Sequence, residues 1–363
     1  MSNKLPNGWK ECKLGEVIEL LYGKGLREQD RKPGNIPVYG SNGIVGYHNE
    51  YLVKGPGIII GRKGSVGEVK YSPVDFFPID TTYYVSLKEG MADIRFMYYF
   101  LLTLHIDEMN SHSAVPGLNR NDVYSLDVTL PPLPEQRAIA SVLSNLDDKK
   151  DLLHRENKTL EAMAEALFRQ WFIEEAKDDW EHTKLGEVVT ITYGKNLPIK
   201  KLLRSGYPVF GGNGQIGFYN KYLYVEPQVL VSCRGEASGK VNISLPRSFI
   251  TNNSLILVRD KRKEITFEYL KYHSLNYDFT LHVSGSAQPQ ITIDSLYDAA
   301  FLIPPVDLIN KFTEIVRGYE EKRTNNLKQI HTLEKLRDTL LPKLMSGEVR
   351  VKYEEEEMAS CRA

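Results

Sequence analysis

The sequence predicts an α+β chain in which two similar mixed α/β units are separated by two long helices forming an antiparallel coiled coil, a pseudo-twofold internal repeat. Three observations carry this: a near-constant repeat offset, a Gly- and Tyr-rich first part in each copy, and a Gly-poor second part with a single apolar stripe. At 363 residues the chain has room for two or three domains.

The offset comes first, because a duplicated chain constrains architecture more than any short motif. Trp9-Lys10-Glu11-Cys12-Lys13-Leu14-Gly15-Glu16-Val17 returns 171 residues later as Trp180-Glu181-His182-Thr183-Lys184-Leu185-Gly186-Glu187-Val188. Tyr22-Gly23-Lys24 returns as Tyr193-Gly194-Lys195, and Pro37-Val38-Tyr39-Gly40-Ser41-Asn42-Gly43 as Pro208-Val209-Phe210-Gly211-Gly212-Asn213-Gly214. Ala114-Val115-Pro116 against Ala287-Gln288-Pro289, and Leu130-Pro131-Pro132-Leu133 against Ile303-Pro304-Pro305-Val306, follow at 173.

The first part of each copy has short β-branched and aromatic runs between Asn-Gly and Gly-Pro turns, which reads as strands and hairpins. One short amphipathic helix is predicted in each, near 95–105 and 266–275. The second part opens with helix-start chemistry, Pro134 with Glu135 in one copy and Asp307 as N-cap in the other, and Gly347 stands where a C-cap belongs.

Steps of four and three connect Ile139, Leu143, Leu146, Lys150, Leu153, Asn157, Leu160, Ala164, Leu167 and Trp171. Adding 173 to each lands on Phe312, Val316, Tyr319, Arg323, Asn326, Ile330, Leu333, Arg337, Leu340 and Leu344. Such spacing keeps one stripe facing a partner helix, and the polar members set alignment at a cost in stability. The plainer alternative is an ordinary long core helix. The predicted segments are 1–133, 134–177, 178–305, 306–347 and an acidic tail, 348–363.

Composition excludes several classes. Lys plus Arg is 46 and Asp plus Glu 47, a net charge of −1, so any nucleic-acid affinity must come from local patches. The start shows no signal-peptide core and no aliphatic run approaches a membrane span, so a cytoplasmic chain without membrane contact is expected. Cys12, Cys233 and Cys361 have no paired spacing and read as incidental thiols.

Catalytic motifs fail on inspection. Gly212-Asn213-Gly214-Gln215-Ile216-Gly217 fits GxGxxG, but strand rather than helix follows, so the glycines serve a tight turn. Gly61-Arg62-Lys63-Gly64-Ser65 lacks Walker spacing, and Glu68-Val69-Lys70 has no counterpart in the second copy. No Asn/Asp-Pro-Pro-Tyr/Phe tetrad and no HExxH is present, so no catalytic, cofactor or metal residue is nominated. What remains is binding. Arg62, Lys63, Arg120 and Arg234 suit phosphates or guanine edges, and Asn42, Asn213, Gln288 and Gln290 offer amides to adenine. A solvated loop or turn-stabilising Asn explains each equally well. Asp80-Thr81-Thr82 and Asn252-Asn253-Ser254, at matched positions, read as turn and fold-supporting hydrogen bonders rather than base readers.

Leu130-Pro131-Pro132-Leu133-Pro134-Glu135-Gln136-Arg137-Ala138-Ile139 and the helical ends Phe168-Arg169-Gln170-Trp171-Phe172 and Leu340-Leu341-Pro342-Lys343-Leu344-Met345-Ser346-Gly347 resemble the specificity (S) subunit of a type I restriction-modification system. The likeness spans nearly the whole chain. It departs at Asp307-Leu308-Ile309, where the first copy has Pro134-Glu135-Gln136. The resemblance implies a non-catalytic reader of double-stranded DNA with two target recognition domains, 1–133 and 178–305, and two spacer helices. It implies two methyltransferase (M) subunits bringing S-adenosylmethionine for adenine N6 methylation, and restriction/motor (R) subunits using ATP and Mg2+. No cofactor is expected on this chain itself. Two unlike heads on an antiparallel rod would face unlike half-sites about one helical turn, ~34 Å, apart. The outward helix faces, with Arg155, Lys158, Lys322 and Lys328, are expected to dock the methyltransferase subunits. The competing expectation is a scaffold or ligand-binding coiled-coil protein without DNA specificity.

Overall fold

The computed structural model describes residues 6–109, 117–285 and 288–352. Ala114, Val115, Pro116, Ala287, Cys361 and the acidic run 354–357 lie outside them. There are two compact units, Met1–Leu153 with Lys328–Ala363, and His154–Leu327. Both boundaries fall within long helices, the central one Leu133–Arg169 and the last one Val306–Met345. Each unit is therefore a β-rich head plus stretches of both helices, a different division from the linear segments read off the sequence.

Among the described residues of the first unit, nine strands, β1 (Lys10–Lys13), β2 (Ile18–Tyr22), β3 (Ile36–Gly40), β4 (Gly43–His48), β5 (Gly57–Gly61), β6 (Val69–Ser72), β7 (Phe77–Pro78), β8 (Thr82–Leu87) and β9 (Asp127–Leu130), make three sheets in the orders β2-β8-β5-β6, β4-β3-β7 and β1-β9. In the second unit β10 (Glu181–Lys184), β11 (Thr190–Tyr193), β12 (Tyr207–Gly211), β13 (Gly214–Tyr219), β14 (Val229–Ser232), β15 (Val241–Ile243), β16 (Phe249–Ile250), β17 (Ser254–Val258) and β18 (Ala300–Ile303) repeat this as β11-β17-β14-β15, β13-β12-β16 and β10-β18. Even the irregularities repeat. A register shift falls between Val38 and Tyr39 in β3 and between Val209 and Phe210 in β12, 171 residues apart.

The short predicted helices form at Ile94–Leu102 and Phe267–Asn276, each started by a polar cap. Asp93 accepts from the amides of Arg95 and Phe96, and Thr266 from that of Tyr269. In the first unit Phe96, Met97 and Phe100 pack with Leu20, Ile58 and Ile60 of the sheet, and Ile139, Leu143, Leu344 and Met345 of the long helices close the core. In the second unit Tyr269, Leu270 and Tyr272 pack with Val229, Val231 and Leu257, closed by Phe168, Phe172, Ile309 and Phe312. Truncating a side chain such as Phe168 to Ala would cost about 3–5 kcal/mol.

The helices run antiparallel within each unit: in the first, Glu135 meets Arg350 and Asp147 meets Arg337; in the second, Asn157 meets Asn326 and Glu161 meets Arg323. Every predicted stripe position is buried or half-buried. One start differs from expectation. Asp307 is not a cap but lies in the first turn, because Leu308 and Ile309 donate their amides to the Pro305 carbonyl at 2.9 and 3.2 Å. Gly347 does close the last helix, at φ +73°, with Val349 N–H returning to the Lys343 carbonyl. Among the described residues no helix is long and apolar enough to cross a membrane.

Candidate nucleic-acid interface

In the first unit three loops converge. The β3–β4 hairpin turns at Ser41-Asn42, with Gly43 at φ +116° and Asn42 exposed at the tip. The loop after β5 folds back on itself through Gly67 N–H to the Gly61 carbonyl, and its Gly64 sits so close to the hairpin that a Cβ there would meet Ser41 Oγ at 3.1 Å. The third loop arrives through Leu118 N–H, which donates to the Arg62 carbonyl at 2.9 Å, and leads to Arg120 at the start of a short helix capped by Asn119.

Arg62 is held on all sides. Its amide donates to the Thr81 carbonyl, and its Nε and Nη2 donate to the Asp80 carbonyl at 3.1 and 2.6 Å. Its guanidinium lies 5.1 Å from the Tyr22 ring and 6.0 Å from the Tyr83 ring, while Arg120 lies 5.5 Å from Tyr22 on its own account. With Lys63 and Asn119 these side chains line a cleft of about 420 Å³. Burial, helped by the neighbouring Tyr22 hydroxyl, pushes Tyr83 up to about 12, so it stays a neutral phenol donating to the Leu118 carbonyl. The corner is an open, cationic, aromatic-floored surface, suited to phosphates and base edges.

The second unit repeats the backbone and changes the side chains. Cys233 N–H donates to the Asn253 carbonyl, Gly239 N–H to the Ser232 carbonyl, and Ile291 N–H to the Cys233 carbonyl, the same connections as in the first unit. Cys233 thus occupies the place of Arg62, buried, its thiol pushed up by that burial. Arg234 occupies the place of Lys63 and is bridged to Gln290, with Gly235 N–H donating to the Pro289 carbonyl. Asn213, at the tip of the β12–β13 hairpin, accepts from Lys240 Nζ at 2.5 Å.

The structure therefore brings Asn42, Arg62, Lys63 and Arg120 to one corner, and Asn213, Arg234, Gln288 and Gln290 to the loops of the matching corner. Thr82 supports a turn, donating its hydroxyl to the Ile79 carbonyl, and Ser254 ties two strands together, donating its hydroxyl to the Gly211 carbonyl. Tyr22, Tyr83 and Lys240 also belong to these corners, though the sequence alone did not single them out. The repeated Tyr-Gly-Lys at 22 and 193 was the available signal for the first. Arg155, Lys158 and Lys322 are exposed on the second unit's helices, Lys322 at 3.5 Å from Glu156, and Lys328 is exposed on the first's. Among the described residues no cluster of His, Cys, Asp and Glu could hold a metal ion.

One head plan, used twice with different side chains at matched loop positions, defines a tandem recognition protein. Residues 6–162 and 177–334 both match the family model described as type I restriction modification DNA specificity domain. The chain is 24% identical over 412 residues to the type I restriction enzyme MjaIX specificity subunit of Methanocaldococcus jannaschii, covering 96% of this chain and 95% of that one. It is 28% identical over 144 residues to the EcoprrI specificity subunit of Escherichia coli, covering 38% and 36%. The fold is similar to that in the crystal structure of the type I restriction-modification S subunit from M. genitalium, with TM-score 0.64 and 21% identity over 94% of this chain and 98% of that one. The chain belongs to the type I restriction modification DNA specificity domain family, as a specificity subunit.

Proposed function

We propose that this chain reads a bipartite, asymmetric target in double-stranded DNA, one half-site per head, for a type I restriction-modification enzyme. The observation that carries the reading is the matched pair of corners: identical backbone connections present Arg62 and Arg120 over Tyr22 in one head and Arg234 beside Gln290 in the other. Equal scaffolds with unequal donors and acceptors select unequal bases. In this proposal the chain itself is non-catalytic. Its exposed helix faces, with Arg155, Lys158, Lys322 and Lys328, dock two methyltransferase subunits that bring S-adenosylmethionine, and restriction/motor subunits bring ATP and Mg2+.

The test is to map methylated adenines in DNA exposed to the reconstituted methyltransferase complex. The expected pattern is an interrupted motif with two dissimilar halves, in which replacing 1–133 by another family member's head alters one half only. Methylation without sequence preference, or a swap that alters both halves, would refute independent reading.

A further inference from the structure

The segment between β11 and β12 carries four cations, Lys195, Lys200, Lys201 and Arg204, and no carboxylate. All four are exposed, and among the described residues none is in an ion pair. Between them Ile199 stands 81% exposed, the most exposed large apolar side chain among the described residues. The backbone beneath is ordered: a single 3-10 turn at Ile199–Lys201 is closed by Lys201 N–H to the Pro198 carbonyl, and Leu203 exchanges hydrogen bonds with Phe218 of β13. The segment thus starts beside β16, where Lys195 N–H donates to the Ile250 carbonyl at 2.9 Å, and ends along β13, the outer strand of the hairpin whose tip carries Asn213.

The matching segment of the first unit also carries four cations, but Glu28 and Asp30 are interleaved with them, and among the described residues only Lys24 and Lys32 keep exposed side chains outside any ion pair. Arg27 is paired with Asp30 at 2.7 Å, and Arg31 is folded over Gly46, donating to the Val45 carbonyl at 2.7 Å. In the second unit Leu202 takes the place of Arg31 against Gly217, so packing is done by an apolar residue and every cation of the segment is left outward. One bare isoleucine or one unpaired lysine is ordinary surface, but four cations without a carboxylate among them make a local positive patch around an apolar one. A polyanion with an apolar sugar face gives both a use.

We propose that residues 195–204 are the phosphate clamp of the second head, Lys200, Lys201 and Arg204 following one strand of duplex DNA and Ile199 resting on its sugar face. The proposal rests on the DNA reading above and adds to it the source of affinity, as distinct from sequence choice, in that head.

The experiment titrates a fluorescein-labelled duplex carrying the methylation-mapped target, and a scrambled duplex, with the reconstituted methyltransferase complex at rising salt. Each lost phosphate contact lowers the slope of log affinity against log salt by about 0.9, so the Lys200→Ser/Lys201→Ser/Arg204→Ser chain should lose up to about 2.7 in slope, equally on both duplexes, with the methylated positions unchanged. Lys200→Arg/Lys201→Arg should keep the slope, and Ile199→Ser should weaken binding with the slope intact. A triple variant that assembles and melts like wild type yet keeps the full slope overturns the clamp alone. A wild-type complex that holds neither duplex overturns the DNA reading and the clamp with it.

Discussion

Asn326 Nδ2 donates to Asn157 Oδ1 at 2.9 Å inside the helical seam, and the repeat places apolar residues at the two matching positions, Leu153 and Ile330. One copy of the seam position is polar and the other is not. The polar pair is costly, since Asn326 Oδ1 is buried without a donor among the described residues. Asn326→Leu alone leaves Asn157 Oδ1 unsatisfied and should cost about 1–3 kcal/mol. Asn157→Ile with Asn326→Leu, the residues the repeat itself uses, should return stability to wild type or above. Urea midpoints for the full double-mutant cycle decide it; equal, additive losses would mean the pair is not coupled.

Glu135 is fully buried and receives Trp9 Nε1 at 3.1 Å and Arg350 Nη2 at 2.8 Å, tying the segment before β1, the central helix and the segment after the last helix together. Arg350→Ala strands that carboxylate and should destabilise the first unit by about 3 kcal/mol, whereas Trp9→Phe removes one neutral donor and should cost about 1. Denaturant titration followed by far-UV circular dichroism would show the ranking, and the reverse order would refute the ion pair as the main tie.

How much of this was legible follows from which forces act locally. Asn42-Gly43 and Asn213-Gly214 announced hairpins because only residues tolerant of positive φ turn there, and the stripe from Ile139 to Trp171 announced its helix because burial enforces the period. The interface corner was not legible, because it depends on Leu118 N–H reaching Arg62 and on Ile291 N–H reaching Cys233, bonds between residues far apart in sequence. For the same reason Cys233, which reads as an incidental thiol, turned out to sit where the other head keeps an arginine. Asp307 misled because a carboxylate near a helix start favours the first turn as well as the cap.

Arg62 and Arg120 share the Tyr22 ring but differ in freedom. Arg62 spends Nε and Nη2 on the Asp80 carbonyl, so Arg62→Ala should lower both stability and DNA affinity. Arg120→Ala should leave the melting transition alone, cost about 1–3 kcal/mol of target affinity and relax one half-site. Binding to duplexes with single-base changes in each half is the readout; relaxation in both halves would contradict the assignment of this corner to one of them.

Arg155, Lys158 and Lys322 are exposed beside the second unit's seam and Lys328 beside the first's. Reversing all four to Glu should weaken assembly with the methyltransferase subunit at least about tenfold, because charge complementarity governs encounter and rejects like charge. Calorimetric titration with a circular dichroism control tests this, and unchanged assembly by a folded variant would remove the helix faces from the docking surface.

His273 lies 4.1 Å, centroid to centroid, from Phe301, and with Tyr269 and Tyr277 it lines a cavity of about 250 Å³ that His182 and Phe168 also border. Burial lowers its imidazole to about 4, against about 6.5 in an unfolded chain. Well above pH 6.5 both states are neutral and its charge contributes nothing, although its Nδ1 is buried without a hydrogen-bond partner among the described residues. Between 6.5 and 4 the unfolded chain takes up a proton that the folded one refuses, so stability falls as pH falls, by about 2–3 kcal/mol at pH 4.5. The matching residue of the first unit is Phe100, buried and already compatible with this packing. His273→Phe should therefore be at least as stable as wild type near pH 7, and the gap should widen by that amount at pH 4.5 in urea unfolding. Parallel acid sensitivity in the two proteins would show that the imidazole is protonated in the folded state.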